Sequence, residues 1–131
     1  MRTFFFKVAG VTYDGRQALI AQLRGDEPVR AVQEPSNPYD PNAIAIHVAH
    51  DGQVWHCGFM PRDKAKEYAP LLEGENLDGH IREITGGFEL SDGSTAAYGL
   101  IVTFELPEER DQYNDSEEDE LATLDGGKYS D

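Results

Sequence analysis

The dipeptide Asp51-Gly52 stands between two runs in which bulky apolar residues alternate with smaller or polar ones. Glycine tolerates the positive φ that a two-residue turn requires, so this dipeptide predicts an antiparallel hairpin. The predicted cross-strand pairs are Ala49 with Val54, Val48 with Trp55, His47 with His56, and Ile46 with Cys57. Alternation then predicts one core face, formed by Ile44, Ile46, Val48, Trp55, Cys57 and Phe59.

Short elements are predicted on both sides of the hairpin. The pattern indicates strands over 3–9, 29–33, 77–84 and 98–104. It indicates a helix over 16–24, with Asp14 as the cap and Gly25 as the stop, and a second helix from Arg62 that Pro70 kinks or ends. Since the strands are short and the helices only two, we expect a mainly β (α+β) fold built on a small, curled antiparallel sheet or barrel of six strands.

Acidic residues are concentrated at the end of the chain. The 131 residues carry a formal charge of −14. Residues 1–107 hold 15 acids against 9 bases, whereas residues 108–131 hold 10 acids against 2 bases. Such a block of like charge repels itself and has little apolar surface to bury. We therefore expect one domain over 1–107 and a disordered acidic tail over 108–131, which serves solubility, docks on a basic partner, or competes with nucleic acid.

Nothing in the sequence resembles a membrane span or a signal peptide, because no apolar run reaches about 18 residues. Cys57 is the single cysteine and cannot form an internal disulfide, which agrees with a reducing compartment. We expect a soluble, intracellular, cytoplasmic protein that does not contact membranes.

Three prolines stiffen the segment before the hairpin. Pro35, Pro38 and Pro41 fix φ and leave few conformations open to the loop. Between these prolines and directly after them lie one aromatic ring, one carboxylate and two amides. They belong to Asn37, Tyr39, Asp40 and Asn42. Loop aromatics of this kind, including Tyr13 at the first strand-to-helix corner, can stack on a nucleic-acid base. They can equally cap the end of a barrel, and the residues alone leave both interpretations open.

No metal or catalytic set is predicted. His47, His50, His56 and Cys57 lie close in sequence, but neighbours on a strand point to opposite faces, so the last two cannot readily bind one zinc ion. The chain has no phosphate-binding glycine loop and no nucleophile elbow. We expect no cofactor and no enzymatic activity.

Several motifs together resemble the HIRAN domain family. They are Val8-Ala-Gly-Val-Thr-Tyr13, Val29-Arg-Ala-Val-Gln-Glu-Pro35, Asn37-Pro-Tyr-Asp-Pro-Asn-Ala-Ile44, Gly58-Phe-Met-Pro-Arg62 and Ala69-Pro-Leu-Leu72. The Asn-Pro-Tyr-Asp string is the most specific of them. The resemblance implies a modified OB-like, SH3-like barrel, presented as a stand-alone monomer. It also implies binding to single-stranded DNA at a free 3′ end, in DNA repair or replication, with a helicase or nuclease as partner.

The resemblance also assigns roles to residues. Tyr13 and Tyr39 would stack on terminal bases, and Asp40 would accept a hydrogen bond from the 3′-hydroxyl. Asn37 would hold the sugar or the loop, and Tyr98 would line the pocket. A basic rim would comprise Arg16, Arg30, Arg62, Lys64 and Lys66.

A second function stays open. Gln33 stands where a basic residue commonly precedes the acid of the Glu-Pro pair, and the domain is net acidic. Phosphate contacts supply much of nucleic-acid affinity. The alternative is a protein-interaction adaptor that has lost DNA affinity and docks a basic partner through the acidic tail.

Overall fold

The computed structural model describes residues 2–107, which form six strands and two helices. The predicted tail, 108–131, lies outside the described residues. In chain order the elements are β1 (Arg2–Lys7), α1 (Arg16–Gln22), β2 (Pro28–Gln33), β3 (Ile44–His50), β4 (Gln53–Phe59), α2 (Arg62–Leu72), β5 (Leu77–Thr85) and β6 (Gly99–Leu106).

The strands form one antiparallel sheet with the order β1-β6-β5-β2-β3-β4. The sheet curls until its two edges meet just beyond β1, where Ala9 and Phe59 exchange two backbone hydrogen bonds of 2.8 and 2.9 Å. The expected mainly β fold with six strands and two helices is confirmed. Within residues 2–107 this single bridge joins the edges, so the barrel is not closed by a full ladder.

The hairpin register is confirmed close to the turn and changes farther away. Ala49, Val48 and His47 pair with the residues predicted for them. Ile46, however, lies opposite Gly58 rather than Cys57, because a β-bulge intervenes between Ile46 and His47. The extra residue on β4 shifts all later pairs by one position.

Gly58 allows the edges to approach. A Cβ atom at this position would lie 2.5 Å from both the Ala9 carbonyl oxygen and Val8 Cγ1, and the residue has a φ of 150°. Any side chain here would separate β4 from the segment that follows β1.

Aromatic rings fill the middle of the core. Phe4, Phe6, Phe104 and Tyr68 are all buried, and the rings of Phe4 and Tyr68 stack with centroids 4.1 Å apart. Burying one such side chain contributes about 1.5–3 kcal/mol. These contacts hold α2 against the strands β1 and β6.

Both helices differ slightly from the sequence prediction. α1 begins at residue 16 as predicted but ends at Gln22, before the predicted stop at Gly25, and Asp14, with a φ of 56°, does not cap it through its side chain. α2 continues through Pro70 to Leu72. No helix within residues 2–107 is long and apolar enough to cross a membrane.

We predict that Gly58→Ala lowers the free energy of unfolding by about 2–4 kcal/mol, because the added methyl group overlaps Ala9 and Val8. Urea denaturation of the full chain measures this loss. Gly93→Ala is the matched control: Gly93 also has a positive φ, of 87°, but no atom lies within 4 Å of its Cβ position. An equal loss in both variants would show that the close approach at Gly58 has no energetic weight.

Candidate functional site

The proline loop is held by its own side chains. Asn37 Oδ1 accepts the backbone N–H groups of Tyr39 at 2.9 Å and Asp40 at 3.2 Å, while its Nδ2 donates to Glu34 Oε1 at 3.0 Å. At the base of the loop, the Glu34 N–H donates to the Ala43 carbonyl at 2.9 Å. Asn37 therefore holds the loop, which is one of the two roles expected for it.

Asp40 lies at the inner end of this loop with its carboxylate 19% exposed. Its Oδ1 accepts the N–H of Asn42 at 2.9 Å. Its Oδ2 is 3.7 Å from Arg62 Nε, and Arg62 Nη2 is 3.4 Å from the Tyr39 carbonyl oxygen. One carboxylate oxygen is thus fixed, and the other faces a cation at more than direct hydrogen-bonding distance.

A cleft of about 310 Å³ opens beside these groups. Its polar lining comes from the loop and from Arg62, and its apolar walls come from the bridge between the sheet edges. The lining residues include Ala9, Asn37, Tyr39, Asp40, Phe59 and Arg62. Tyr39 is 87% exposed at this cleft, which leaves its ring accessible for stacking.

Tyr13 and Phe59 converge on the turn at Gly10. A Cβ placed on Gly10 would lie 3.2 Å from Arg16, 3.9 Å from Phe59 and 4.0 Å from Tyr13. The Tyr13 ring is largely exposed. The turn thus brings a second accessible aromatic ring next to a wall of the cleft.

Arg16 lies beneath this turn and is almost fully buried. Its Nη1 donates to the Gly10 carbonyl at 2.7 Å, and its guanidinium carbon lies 5.8 Å from the centre of the Phe59 ring. Arg16 therefore supports Gly10 and Phe59 from inside the domain and does not form an exposed basic rim.

His56 continues this network behind the cleft. Arg16 Nη2 lies 3.2 Å from His56 Nδ1, and the His56 ring meets Phe59 edge to face at 4.9 Å. Burial, followed by the positive charge of Arg16, lowers the pKa of His56. A neutral imidazole with an acceptor at Nδ1 fits the donor from Arg16.

The other predicted site residues lie elsewhere. Tyr98 packs its ring on Gly87, and its backbone N–H donates to Gln17 Oε1 at 2.7 Å. Arg30 forms a 2.6 Å ion pair with Asp78 between β2 and β5. The two lysines are on α2, the helix that begins with Arg62. These lysines are Lys64 and Lys66. All five basic candidates lie within residues 2–107, and Arg62 is the one that lines the cleft.

The histidines and the cysteine form no metal centre in the part of the chain described, where no group of three or more potential ligands is gathered. Cys57 is buried, and its Sγ lies 3.3 Å from the Ile46 carbonyl oxygen. Burial raises the pKa of its thiol to about 12, so the reactive thiolate is absent at neutral pH.

Phe59 lines the cleft, although the sequence pattern predicted it in the core. The glycine before it was the available signal, because a glycine inside a strand often marks a bulge or a close backbone approach. The bulge turns Phe59 toward the cleft, where the ring is half-buried.

Comparison with known proteins agrees with the fold. The model of the HIRAN domain matches residues 1–85. The crystal structure of the HIRAN domain of human HLTF is similar, with a TM-score of 0.52 and 22% sequence identity, covering 85% of this chain and 81% of that chain. Among curated protein sequences none matches significantly. Because the family model spans more than half of the sequence, this chain belongs to the HIRAN domain family, a family of DNA-binding domains.

Proposed function

We propose that this domain binds single-stranded DNA at a free 3′ end and acts in DNA repair or replication beside a helicase or nuclease. The observation that carries the proposal is the placement of an exposed ring, Tyr39, directly beside a recessed carboxylate, Asp40, in one cleft. The ring suits a base, and the carboxylate suits the sugar hydroxyl attached to it.

Tyr39 provides the stacking surface. Its backbone is fixed by Asn37, and its side chain projects from a loop that contains three prolines. Little backbone conformational freedom therefore remains to be lost when a base stacks on the Tyr39 ring. The ring of Tyr13, beside the Gly10 turn, would stack on the next base.

Asp40 selects a strand with a free 3′-hydroxyl over one with a 3′-phosphate. A carboxylate accepts a hydrogen bond from a hydroxyl and repels a phosphate. Its Oδ1 already accepts from Asn42, whereas its Oδ2 can accept this hydrogen bond, because Arg62 Nε lies 3.7 Å away, beyond direct hydrogen-bonding distance. An unmodified 3′ end satisfies this oxygen, whereas a 3′-phosphate places two anions together.

Arg62 provides the nearby positive charge for a backbone phosphate. Several other arginines of the domain are engaged in ion pairs: Arg2 with Glu67, Arg24 with Asp26, and Arg30 with Asp78. Because residues 1–107 are net acidic, binding is expected to be weak and sensitive to salt, with a contribution from this arginine at the cleft.

A second candidate function is the protein-interaction adaptor. The charge balance of residues 1–107, 15 acids against 9 bases, favours it, because a net negative domain repels DNA. In that case the acidic segment 108–131 would dock a basic partner. The absence of any DNA binding by the full chain would favour this function.

We predict that Tyr39→Ala weakens binding of single-stranded DNA by about 5- to 150-fold, which corresponds to ~1–3 kcal/mol of base stacking. Fluorescence anisotropy of a labelled oligonucleotide measures the affinity. The melting temperature is expected to stay unchanged, because the ring is exposed. Phe88→Ala removes another exposed ring outside the cleft and is expected to bind normally; equal loss in both variants would contradict the site.

We predict that the wild-type chain binds a 3′-hydroxyl end at least about tenfold more tightly than a 3′-phosphate end, which is the scale of one hydrogen bond to a charged group. Asp40→Asn is expected to reduce this preference, since the amide retains an acceptor for Asn42 but removes the negative charge. Competition between the two oligonucleotides measures the ratio. Equal affinity of the wild type for both ends would rule out the role of Asp40.

We predict that Arg62→Gln reduces the slope of log affinity against log salt concentration by about 0.7, the amount for one phosphate contact on a single strand. Titrations at several salt concentrations measure the slope. Arg30→Gln is the matched control, because it removes an arginine that does not line the cleft and is paired with Asp78 at 2.6 Å. A slope that changes equally in both variants would indicate a general charge effect.

A further inference from the structure

A second groove, of about 270 Å³, lies between α1 and β4. Its walls include Leu19 from the helix and Trp55 and His56 from the strand. Trp55 was expected in the core because it pairs with Val48, which is fully buried. The residue is instead 41% exposed, so an aromatic ring borders the groove without being enclosed by the core.

The orientation of Trp55 is fixed. Its indole Nε1–H donates to the His50 carbonyl oxygen at 3.1 Å. This bond satisfies the polar edge of the ring and restricts its rotation. A fixed, partly exposed indole is a suitable stacking surface, because every base has a π-face and stacking needs little sequence specificity.

The groove and the cleft are connected through side chains that contact each other. Arg16 and His56 border the groove, and both contact Phe59, which borders the cleft. The turn at Gly10, which carries Tyr13 nearby, lies beside the same residues. A strand that leaves the cleft over these side chains would reach Trp55.

We propose that this groove binds a base farther from the 3′ end of the same DNA strand, with Trp55 as its stacking surface. The inference rests on the proposed function, since it needs a strand whose end occupies the cleft. It extends the recognition of the end into a longer track along the strand.

The charges at the groove define the kind of contact. Arg16 is buried and lies 3.4 Å from the exposed carboxylate of Asp14, so the two charges offset each other. The groove therefore offers stacking without an unpaired cation, and its contribution is expected to vary little with salt. This distinguishes it from the contact made by Arg62.

The test uses the full chain with thymidine oligonucleotides of two, four and six nucleotides, all with a free 3′-hydroxyl. Trp55 is the single tryptophan of the sequence, so its emission reports on the groove directly. We expect quenching by the longest oligonucleotide and none by the shortest. Trp55→Ala is expected to weaken binding of the longest about tenfold and to leave the shortest unchanged.

Two further variants protect the test against a folding defect. Trp55→Leu keeps apolar volume against α1 without an aromatic face and is expected to bind like the alanine variant. Trp55→Phe keeps a ring and is expected to retain most of the affinity. Thermal melting of each variant checks the fold.

Each other outcome is decisive. If Trp55→Ala and Trp55→Leu bind all lengths like the wild type while Tyr39→Ala binds all lengths more weakly, the groove is not a DNA site and the proposed function stands. If they weaken all lengths equally, Trp55 acts through the fold and the inference is wrong. If the wild type binds no oligonucleotide, the proposed function fails together with the inference.

Discussion

The two hydrogen bonds between Ala9 and Phe59 determine the geometry of the site. Each contributes only about 0.5–1.5 kcal/mol to stability, but together they connect the two edge strands of the sheet. The connection places the Phe59 ring against the proline loop and brings the Gly10 turn beside it. It depends in turn on Gly58, because any Cβ there would keep the edges apart. The cleft therefore exists because one strand position has no side chain.

The proline loop lowers the conformational entropy that would be lost on binding a ligand. Ordering one flexible residue costs about 1–2 kcal/mol, so a mobile loop would lose much of its stacking energy on binding a ligand. Here the prolines limit φ, and the side chains of Asn37 and Asp40 accept backbone N–H groups within the loop. The ordering takes place when the domain folds. Tyr39 can then remain almost fully exposed and still have a defined backbone position.

Local sequence patterns predicted the elements well, and tertiary contacts explain where they failed. The Asp51-Gly52 turn determines the pairing of the four residue pairs nearest to it, because register follows from the turn. The bulge beyond them lies beside the contact with the segment after β1, and Gly58 is its one local signal in the sequence. The Asn-Pro-Tyr-Asp motif also predicted the loop residues that line the cleft, which are Asn37, Tyr39 and Asp40. It could not show that Arg16 is buried or that Arg30 is paired, since both depend on residues more than 35 positions away along the chain, His56 and Asp78 respectively.

The charge balance of the domain bears on how an acidic protein could recognise DNA at all. At the cleft, the carboxylate of Asp40 and the guanidinium of Arg62 face each other at 3.7 Å, so the site is close to neutral before binding. A strand end has a hydroxyl that donates a hydrogen bond to the carboxylate of Asp40. It also has a phosphate that pairs with the guanidinium of Arg62. The interior of a strand offers phosphates alone, which leaves the carboxylate facing negative charge. Under the proposed function, an acidic balance is therefore compatible with recognition of ends and works against binding elsewhere on the strand.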